Sequence, residues 1–512
     1  MIKKRSKNRQ LAINMLAALT TFILGLGVRF FLSPYIVSHL GREAYGFIGL
    51  ASNILSYTAL LTIALNSMAG RFISIRYLAG DVEGANRYYA SVFYSNLVLA
   101  SIISIFAVGC VIWLECFLEI PDRLLFDVKF LFCFLALNHV VGLMTGVWGV
   151  ATFIKNRIDL SSIRKIVGTV LKVVVLVLLF TFLPPRLWYV GVAGMVLTSY
   201  RAITNKQFCR ILTPDLHLRF ANYEWSKVVE LLKAGVWNVI SRLGAILGHG
   251  LDLLIANVCI GASEMGLFAI TKNVPFLILS CFGTISGVFA PIFTRLYAQR
   301  KMEELVSEAN KSMRILSFFV ALPLACLYVY GKEFYSLWIP TEDAAQLQWL
   351  TILGTFALPY TLPLDSLWNI FTVTNRLKVS TLFTLADNFM VFAIVIASMA
   401  VVDSLHVRLI ILACTRSVCG VIRGFVFLPM YGAHCLGLSK GTFYKTIFRS
   451  LICTTACFGG CFALRSIFVP DSWAGLALGG VMIAIVCFAI SSVLILTKGD
   501  RTFIYEKIVR RK

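Results

Sequence analysis

The feature that most constrains this chain is a series of apolar runs, each about twenty residues long, recurring from end to end. Wound as an α-helix, such a run spans the ~30 Å hydrocarbon layer of a bilayer. The runs are continuous rather than alternating, which excludes a membrane β-barrel. They fall at about 12–38, 45–69, 90–114, 127–151, 163–183, 187–208, 232–259, 265–290, 313–331, 346–371, 379–402, 406–428, 446–468 and 473–497. The expected fold is an all-α polytopic membrane protein of about fourteen transmembrane helices. Composition excludes the alternative: 59% of residues are hydrophobic and 14% charged, against about 45–50% and 25% in soluble chains.

Charge sets the orientation. Of the 47 Lys and Arg residues, 34 fall on alternate ends and tails and 7 on the opposite loops. The positive-inside rule therefore places both termini in the cytoplasm. The start, MIKKRSKNRQ, leads into about thirty mostly apolar residues. A signal peptide has an apolar core of only about 7–15 residues, so this run reads as a retained helix. The net charge of +22 belongs to cytoplasmic loops, and no nucleic-acid partner is expected. The 14 cysteines stand singly in apolar segments without CxxC or Cys/His spacing. They read as small hydrophobes, with neither metal site nor disulfide framework indicated, and no cofactor is expected.

Residues 33–55, SPYIVSHLGREAYGFIGLASNIL, read as the top of a hydrophobic hairpin. One apolar run ends at His39, a Gly-bounded turn follows, and a second run begins at Tyr45. A worn copy, GASEMGLFAITKNVP, lies 220 positions later at 261–275. In that register Gly41 matches Gly261, Gly46 matches Gly266 and Asn53 matches Asn273. Phe47/Leu267, Leu50/Ile270 and Ile54/Val274 pair like for like. The chain therefore divides into a six-helix bundle at 1–208, a cytoplasmic linker at 209–231 and a second six-helix bundle at 232–430. Two extra helices and a basic tail occupy 431–512. The linker region is basic and aromatic (Phe208, Phe220, Tyr223, Trp225), which suits a membrane surface. Membrane proteins built from two such halves hold substrate between them.

A cation at mid-bilayer costs about 2.5–3.5 kcal/mol on insertion scales, so it usually faces an aqueous or protein interior. Arg29 sits mid-span in the first helix, with Gly25 and Ser33 four residues to either side. The repeat register puts His249 in the equivalent place. On regular helical spacing, Asn238, Arg242, Ala245, His249, Asp252 and Ala256 share one stripe. That stripe lines a polar cavity, or pairs internally through His249 and Asp252. Lys272 adjoins Asn273 and Pro275. Arg29, Arg242, His249 and Lys272 are the expected cationic substrate contacts. A second group follows from chain reversals near 376 and 404, which bring Asp365, Asp387 and Arg423 to one depth, with Arg416 deeper. Together with Asp252 these are the expected coupling or gating residues, with packing as the plainer alternative for the Asp365 group. Pro359 and Pro363 should kink the helix before Asp365. Lys172 reads as snorkelling to a membrane face, and His139 as a satisfied core histidine. No P-loop is present, and no extramembrane segment is large enough for a glycosyltransferase or hydrolase site.

The amino tail, the first helix running into SPYIVSHLGREAYGFIGL, and SMAGRFISIRYLAGD after the second helix resemble the polysaccharide-biosynthesis (Wzx-type) flippases. These belong to the multidrug/oligosaccharidyl-lipid/polysaccharide exporter (MOP) superfamily, and the resemblance in topology covers the whole chain. It implies alternating-access export of a lipid-linked oligosaccharide, carried on undecaprenyl pyrophosphate, across a bacterial cytoplasmic (inner) membrane. Cavity cations would hold the headgroup, and Arg29, Arg242 and His249 fit that requirement by position. The expected partners are the lipid-linked substrate, membrane lipids and a polysaccharide polymerase, and the acids suggest an H+ or Na+ returning on Asp365 or Asp387 to reset the carrier.

Three alternatives are weighed against it. A cation-coupled multidrug antiporter of the same superfamily needs an acid within its first six spans, where this chain has Arg29 instead. A peptidoglycan-precursor flippase differs in substrate and not in physics. A polytopic glycosyltransferase or O-antigen polymerase needs a large outer loop with catalytic acids, and the longest here, about 115–127, is too small.

Overall fold

A computed structural model describes residues 7–495. The two basic tails expected in the cytoplasm, 1–6 and 496–512, lie outside the described residues, as do the side chains at 7–9, 11, 12, 15, 59, 241 and 249. Every regular element among the described residues is helical. In chain order these are α1 (7–40), α2 (42–78, with a turn at Thr58), α3 (Val82–Ile112), α4 (Asp122–Ile154), α5 (Ile158–Phe182), α6 (Tyr189–Leu212) and α7 (Trp225–Cys259). The remainder are α8 (Ala262–Ala298), α9 (Met302–Trp338), α10 (344–373), α11 (Leu377–Val401), α12 (Leu405–Cys435), α13 (Tyr444–Arg465) and α14 (Trp473–Leu494). Among the described residues, eleven helical stretches are long and apolar enough to cross a membrane. One of them, Leu16–Tyr57, contains the junction of α1 and α2. The order is compatible with the fourteen crossings expected.

The α1–α2 junction is a reversal. Gly41 has φ 80° and ψ 168°, a left-handed backbone that glycine adopts without Cβ strain. Ser33 Oγ lies 3.0 Å from Tyr45 Oη although twelve positions separate them. On an unbroken helix that separation spans about 18 Å, so the chain has folded back. Gly261, its counterpart in the repeat, also has positive φ, 138°, between α7 and α8.

The chain divides into two compact units, Met1–Ala269 and Ile270–Lys512, with the division inside α8. In the first unit, α5 packs against α1 and α6, α4 against α3 and α6, and α2 between α3 and α7. Its core holds Leu65 and Ile73 of α2, Tyr88 and Tyr89 of α3, Val150 of α4 and Leu231 of α7. The start of α1 is pinned to the α4–α5 turn. Asn14 donates to the Asn156 carbonyl at 2.9 Å and accepts from the Asp159 backbone N–H at 3.0 Å. Gln10 donates to the Asp159 carboxylate at 3.0 Å.

The segment between α6 and α7 is a strap along α3. Asn86 donates to the Asp215 carbonyl at 3.0 Å and accepts from the His217 N–H at 2.7 Å. Ser91 accepts from the Glu224 N–H at 2.9 Å. Leu216 enters the core, and Tyr94 meets Phe220 edge to face at 5.2 Å. Two polar side chains of α3 thus satisfy strap backbone groups that no regular element would satisfy.

In the second unit α9 is the hub, packing on α10, α13 and α14, while α12 packs on α10 and α11. As the prolines require, α10 breaks: Leu358–Thr361 is one helical turn and Leu362–Leu367 a 3-10 turn. α14 buries one seam of small and medium residues, Gly479, Ile483, Cys487 and Ser491. Its other faces are apolar and exposed, including Val481, Ile485 and Val493. That pattern suits a helix with lipid around it and close neighbours along one line.

Candidate functional site

Candidate residues in the first unit lie on α1 and α7. Arg29 is exposed, one turn before Ser33 on α1. Ser33 Oγ donates to the Arg29 carbonyl at 2.8 Å and meets Tyr45 Oη. Tyr45 acts electrostatically on Arg29 itself. The cation therefore lies within electrostatic reach of the tyrosine that pairs with Ser33 across the α1–α2 hairpin.

On α7, regular spacing does not hold. The helix opens into a π-helical turn at Ile246–Gly250. The wider turn rotates everything after it away from the earlier face, and such turns are frequent at functional sites. Asn238 and Arg242 therefore do not share a continuous stripe with Asp252 and Ala256, as uniform spacing would require. Asn238 is half-buried and donates to Ser67 of α2 at 2.9 Å, whereas Ala256 is fully buried. Arg242 is half-buried, and its Nε is shielded without a hydrogen-bond acceptor among the described residues. His249 has its backbone in the π-turn, and its side chain lies outside the described residues. Asp252 opens the helical segment after the π-turn. Tyr57 of α2 donates to the carbonyl of Gly250, the last residue of that turn, at 2.7 Å. Nothing in the sequence singled out Tyr57, because the need for it arises from the π-turn.

The two copies of the repeated motif meet. A Cβ built on Gly46 would lie 2.9 Å from the Gly266 Cα, and one on Gly266 would collide with the Arg42 carbonyl. Arg42 donates through Nη2 to Ser263 Oγ at 2.7 Å and through Nε at 3.0 Å. Nearby, Asn257 of α7 donates to the Glu119 carbonyl and accepts from the Glu119 N–H, both at 2.9 Å. Lower on α2, a Cβ on Gly235 of α7 would meet the Ala64 carbonyl. Glycine at each of these crossings lets backbones approach within a side chain's width.

In the second unit, Arg423 Nη1 lies 3.1 Å from Asp387 Oδ2. Arg416 donates to Asn388 Oδ1 at 3.0 Å. Asp365, in the 3-10 turn of α10, lies within electrostatic reach of Arg423. Arg423 opens a second π-turn, Arg423–Phe427. Gly424 in that turn packs on Thr361 of α10, where a Cβ would lie 2.7 Å from the threonine methyl. Lys272 is half-buried at a turn inside α8. Asn273 beside it is buried and donates to the Ile270 carbonyl.

Several polar contacts escaped the sequence reading. Asn66 of α2 and Asn96 of α3 exchange amide hydrogen bonds, both at 2.9 Å. His139 is hydrogen-bonded as the sequence analysis expects, its Nε2 lying 2.9 Å from Thr58 Oγ1, but the partner was not foreseen. The cysteines read as scattered singly are in part assembled: Cys453, Cys457 and Cys461 recur every fourth residue on α13, facing α14. Cys461 Sγ lies 3.6 Å from Cys487 Sγ, and Cys453 lies 3.5 Å from Ser491 Oγ. Four-residue spacing was the available signal, and the helix period explains the seam.

Comparison with known proteins agrees with this architecture. Residues 40–337 match the family described as Polysaccharide biosynthesis protein. The chain is 28% identical to EpsK of Bacillus subtilis (strain 168), an uncharacterized membrane protein, over 98% of this chain and 98% of that one. Among solved structures it is similar to the lipid II flippase MurJ in an inward closed conformation, with TM-score 0.64 and 12% identity over 98% of this chain and 100% of that one. An inward-facing MATE family multidrug resistance transporter of the MOP superfamily is similar at TM-score 0.54 and 16% identity, covering 98% and 99% of the two chains. At such identities the structural likeness shows the fold. The chain is a multi-pass membrane protein that belongs to the polysaccharide biosynthesis protein family, with a fold like those of MurJ and the MATE transporter.

Proposed function

We propose that this protein carries a lipid-linked oligosaccharide, on a polyprenyl pyrophosphate, from the cytoplasmic to the outer leaflet of a bacterial inner membrane by alternating access. Arg242 carries this reading. A shielded guanidinium donor without an acceptor among the described residues is costly to leave unmade, about 1–3 kcal/mol. A pyrophosphate oxygen is an acceptor of matching charge, and guanidinium-to-phosphate bonds are among the stronger hydrogen bonds. Arg29 supplies a second fixed charge at a membrane-buried level of α1. His249 and Lys272 complete the proposed cationic set, and the polyprenyl tail stays in lipid. An inside-negative potential favours outward movement of an anion by about 2.3 kcal/mol per charge per 100 mV.

The proposed working parts are the bundles at 1–208 and 232–430, joined through 209–231, with 431–512 appended and both termini cytoplasmic. Asp387 with Arg423, Asp365, Arg416 and Asp252 form the proposed coupling set, reset by H+ or Na+, and a polysaccharide polymerase takes the exported unit. The test is deletion of the gene followed by mass identification of the lipid-linked sugar left on the inner leaflet. Re-expressed Arg29→Ala and Arg242→Ala proteins should insert at normal abundance without restoring export, and Arg29→Lys should be milder. Full export by both alanine variants would sink the cationic reading.

A further inference from the structure

We infer that a cleft between α11 and α12 holds one anionic glycerophospholipid of the bilayer, its phosphate at Lys440 and His434 and one acyl chain along an aromatic ladder. The cleft is an open groove of about 410 Å³ and is almost wholly apolar. Phe383 of α11 stacks on Phe427 of α12 at 3.7 Å, with rings near parallel at 3°. Phe427 stacks in turn on Tyr431 at 5.2 Å, and Tyr431 on His434 at 6.2 Å. The ladder therefore runs from apolar rings to an ionisable one. Val426 and Met430, beside the ladder on α12, also line the cleft and are 48% and 38% exposed. The π-turn explains the arrangement: it carries Arg423 inward to Asp387 while Val426 stays on the outside of α12.

Charge selects the occupant. Between Asp403 and Asp471 the sequence contains no acidic residue. Lys440, Lys445 and Arg449 accordingly form no ion pair among the described residues, and neither do Arg376 and Lys378 on the neighbouring α10–α11 turn. The cleft lined by Arg76, Arg87 and Lys227 in the first unit differs, because there Asp81, Glu83, Glu224 and Glu230 neutralise the cations. Basic pockets at the cytoplasmic ends of membrane helices recruit anionic headgroups, and the positive-inside count assigns this end to the cytoplasm. A sugar-bearing lipid is the poorer fit. Its head needs polar walls, and the Tyr431 hydroxyl is already committed to the Arg376 carbonyl at 3.1 Å.

The test uses purified full-length protein in nanodiscs containing equal phosphatidylglycerol and phosphatidylcholine of identical chains, with retained lipid read by native mass spectrometry. The wild type should retain phosphatidylglycerol with about fivefold preference per engaged cation. Lys440→Gln with His434→Gln should abolish that preference, and Met430→Trp, which fills the cleft, should lower retention while leaving the elution profile folded. Equal retention of the two lipids by the wild type would overturn the inference. So would a preference that survives the double variant, or recovery from native membranes of a polyprenyl-linked sugar lost in Met430→Trp.

Discussion

Gly46 and Gly266 hold the same place in two copies of one sequence motif, and they pack against each other: a Cβ on the first would come within 2.9 Å of the second's Cα. The first hairpin and the start of α8 therefore touch where their own sequences match.

That contact sets a steric prediction. Gly266→Val must displace the Arg42 backbone, and overpacking of this kind costs about 1–3 kcal/mol. The thermal midpoint in detergent, read by fluorescence size exclusion, should fall. Gly70→Val is the control, because a Cβ there meets nothing within 4 Å. Equal losses in both variants would mean that the glycine crossing is not the cause.

The Asp387–Arg423 pair sets a second. The Asp387 carboxylate is 4% exposed and the Arg423 side chain 27%. Breaking a buried pair from one side costs about 3–5 kcal/mol, because the remaining charge is stranded. Asp387→Asn should therefore unfold earlier than wild type. The Asp387→Asn/Arg423→Gln double variant should recover part of that loss. Additive losses in the double-mutant cycle would dissolve the pair.

Asn86 reads the strap backbone on both sides, through Asp215 and His217. Asn86→Ala leaves a carbonyl and an N–H without their partner, at about 1–3 kcal/mol for each group that stays buried. Limited proteolysis should cut the 213–224 segment faster in that variant, while cleavage elsewhere is unchanged. Asn86→Asp keeps the acceptor for His217 and should fall between the two. An unaltered cleavage rate in Asn86→Ala would show that the strap is held by its apolar contacts instead.

Cys116 offers a topology test. It is exposed on the short turn Leu114–Phe117 between α3 and α4, whereas seven of the other cysteines are buried. The charge count puts this turn outside. A membrane-impermeant maleimide added to intact cells should label wild type and fail on Cys116→Ser. Labelling that appears only after permeabilisation would invert the orientation.

Sequence alone determined the features that depend on local hydropathy and helical rise. The apolar runs marked where each helix lies, although several helices continue well past the run, as α9 does from 313–331 to Met302–Trp338, and Gly41 marked the α1–α2 reversal. Counting residues back from the turns near 376 and 404 put Asp387 and Arg423 at one depth, and the fold has them 3.1 Å apart. Helical rise is constant, so depth in a hairpin is arithmetic. Tertiary structure decided what regular spacing cannot carry. The π-turn at Ile246–Gly250 splits the α7 stripe by one inserted residue. Asn66 found Asn96, and Cys461 found Cys487, because helix azimuth and neighbour choice are set by packing of whole faces. A single chain's hydropathy says how deep a residue lies; which way it points, and at whom, is fixed only when the helices close on one another.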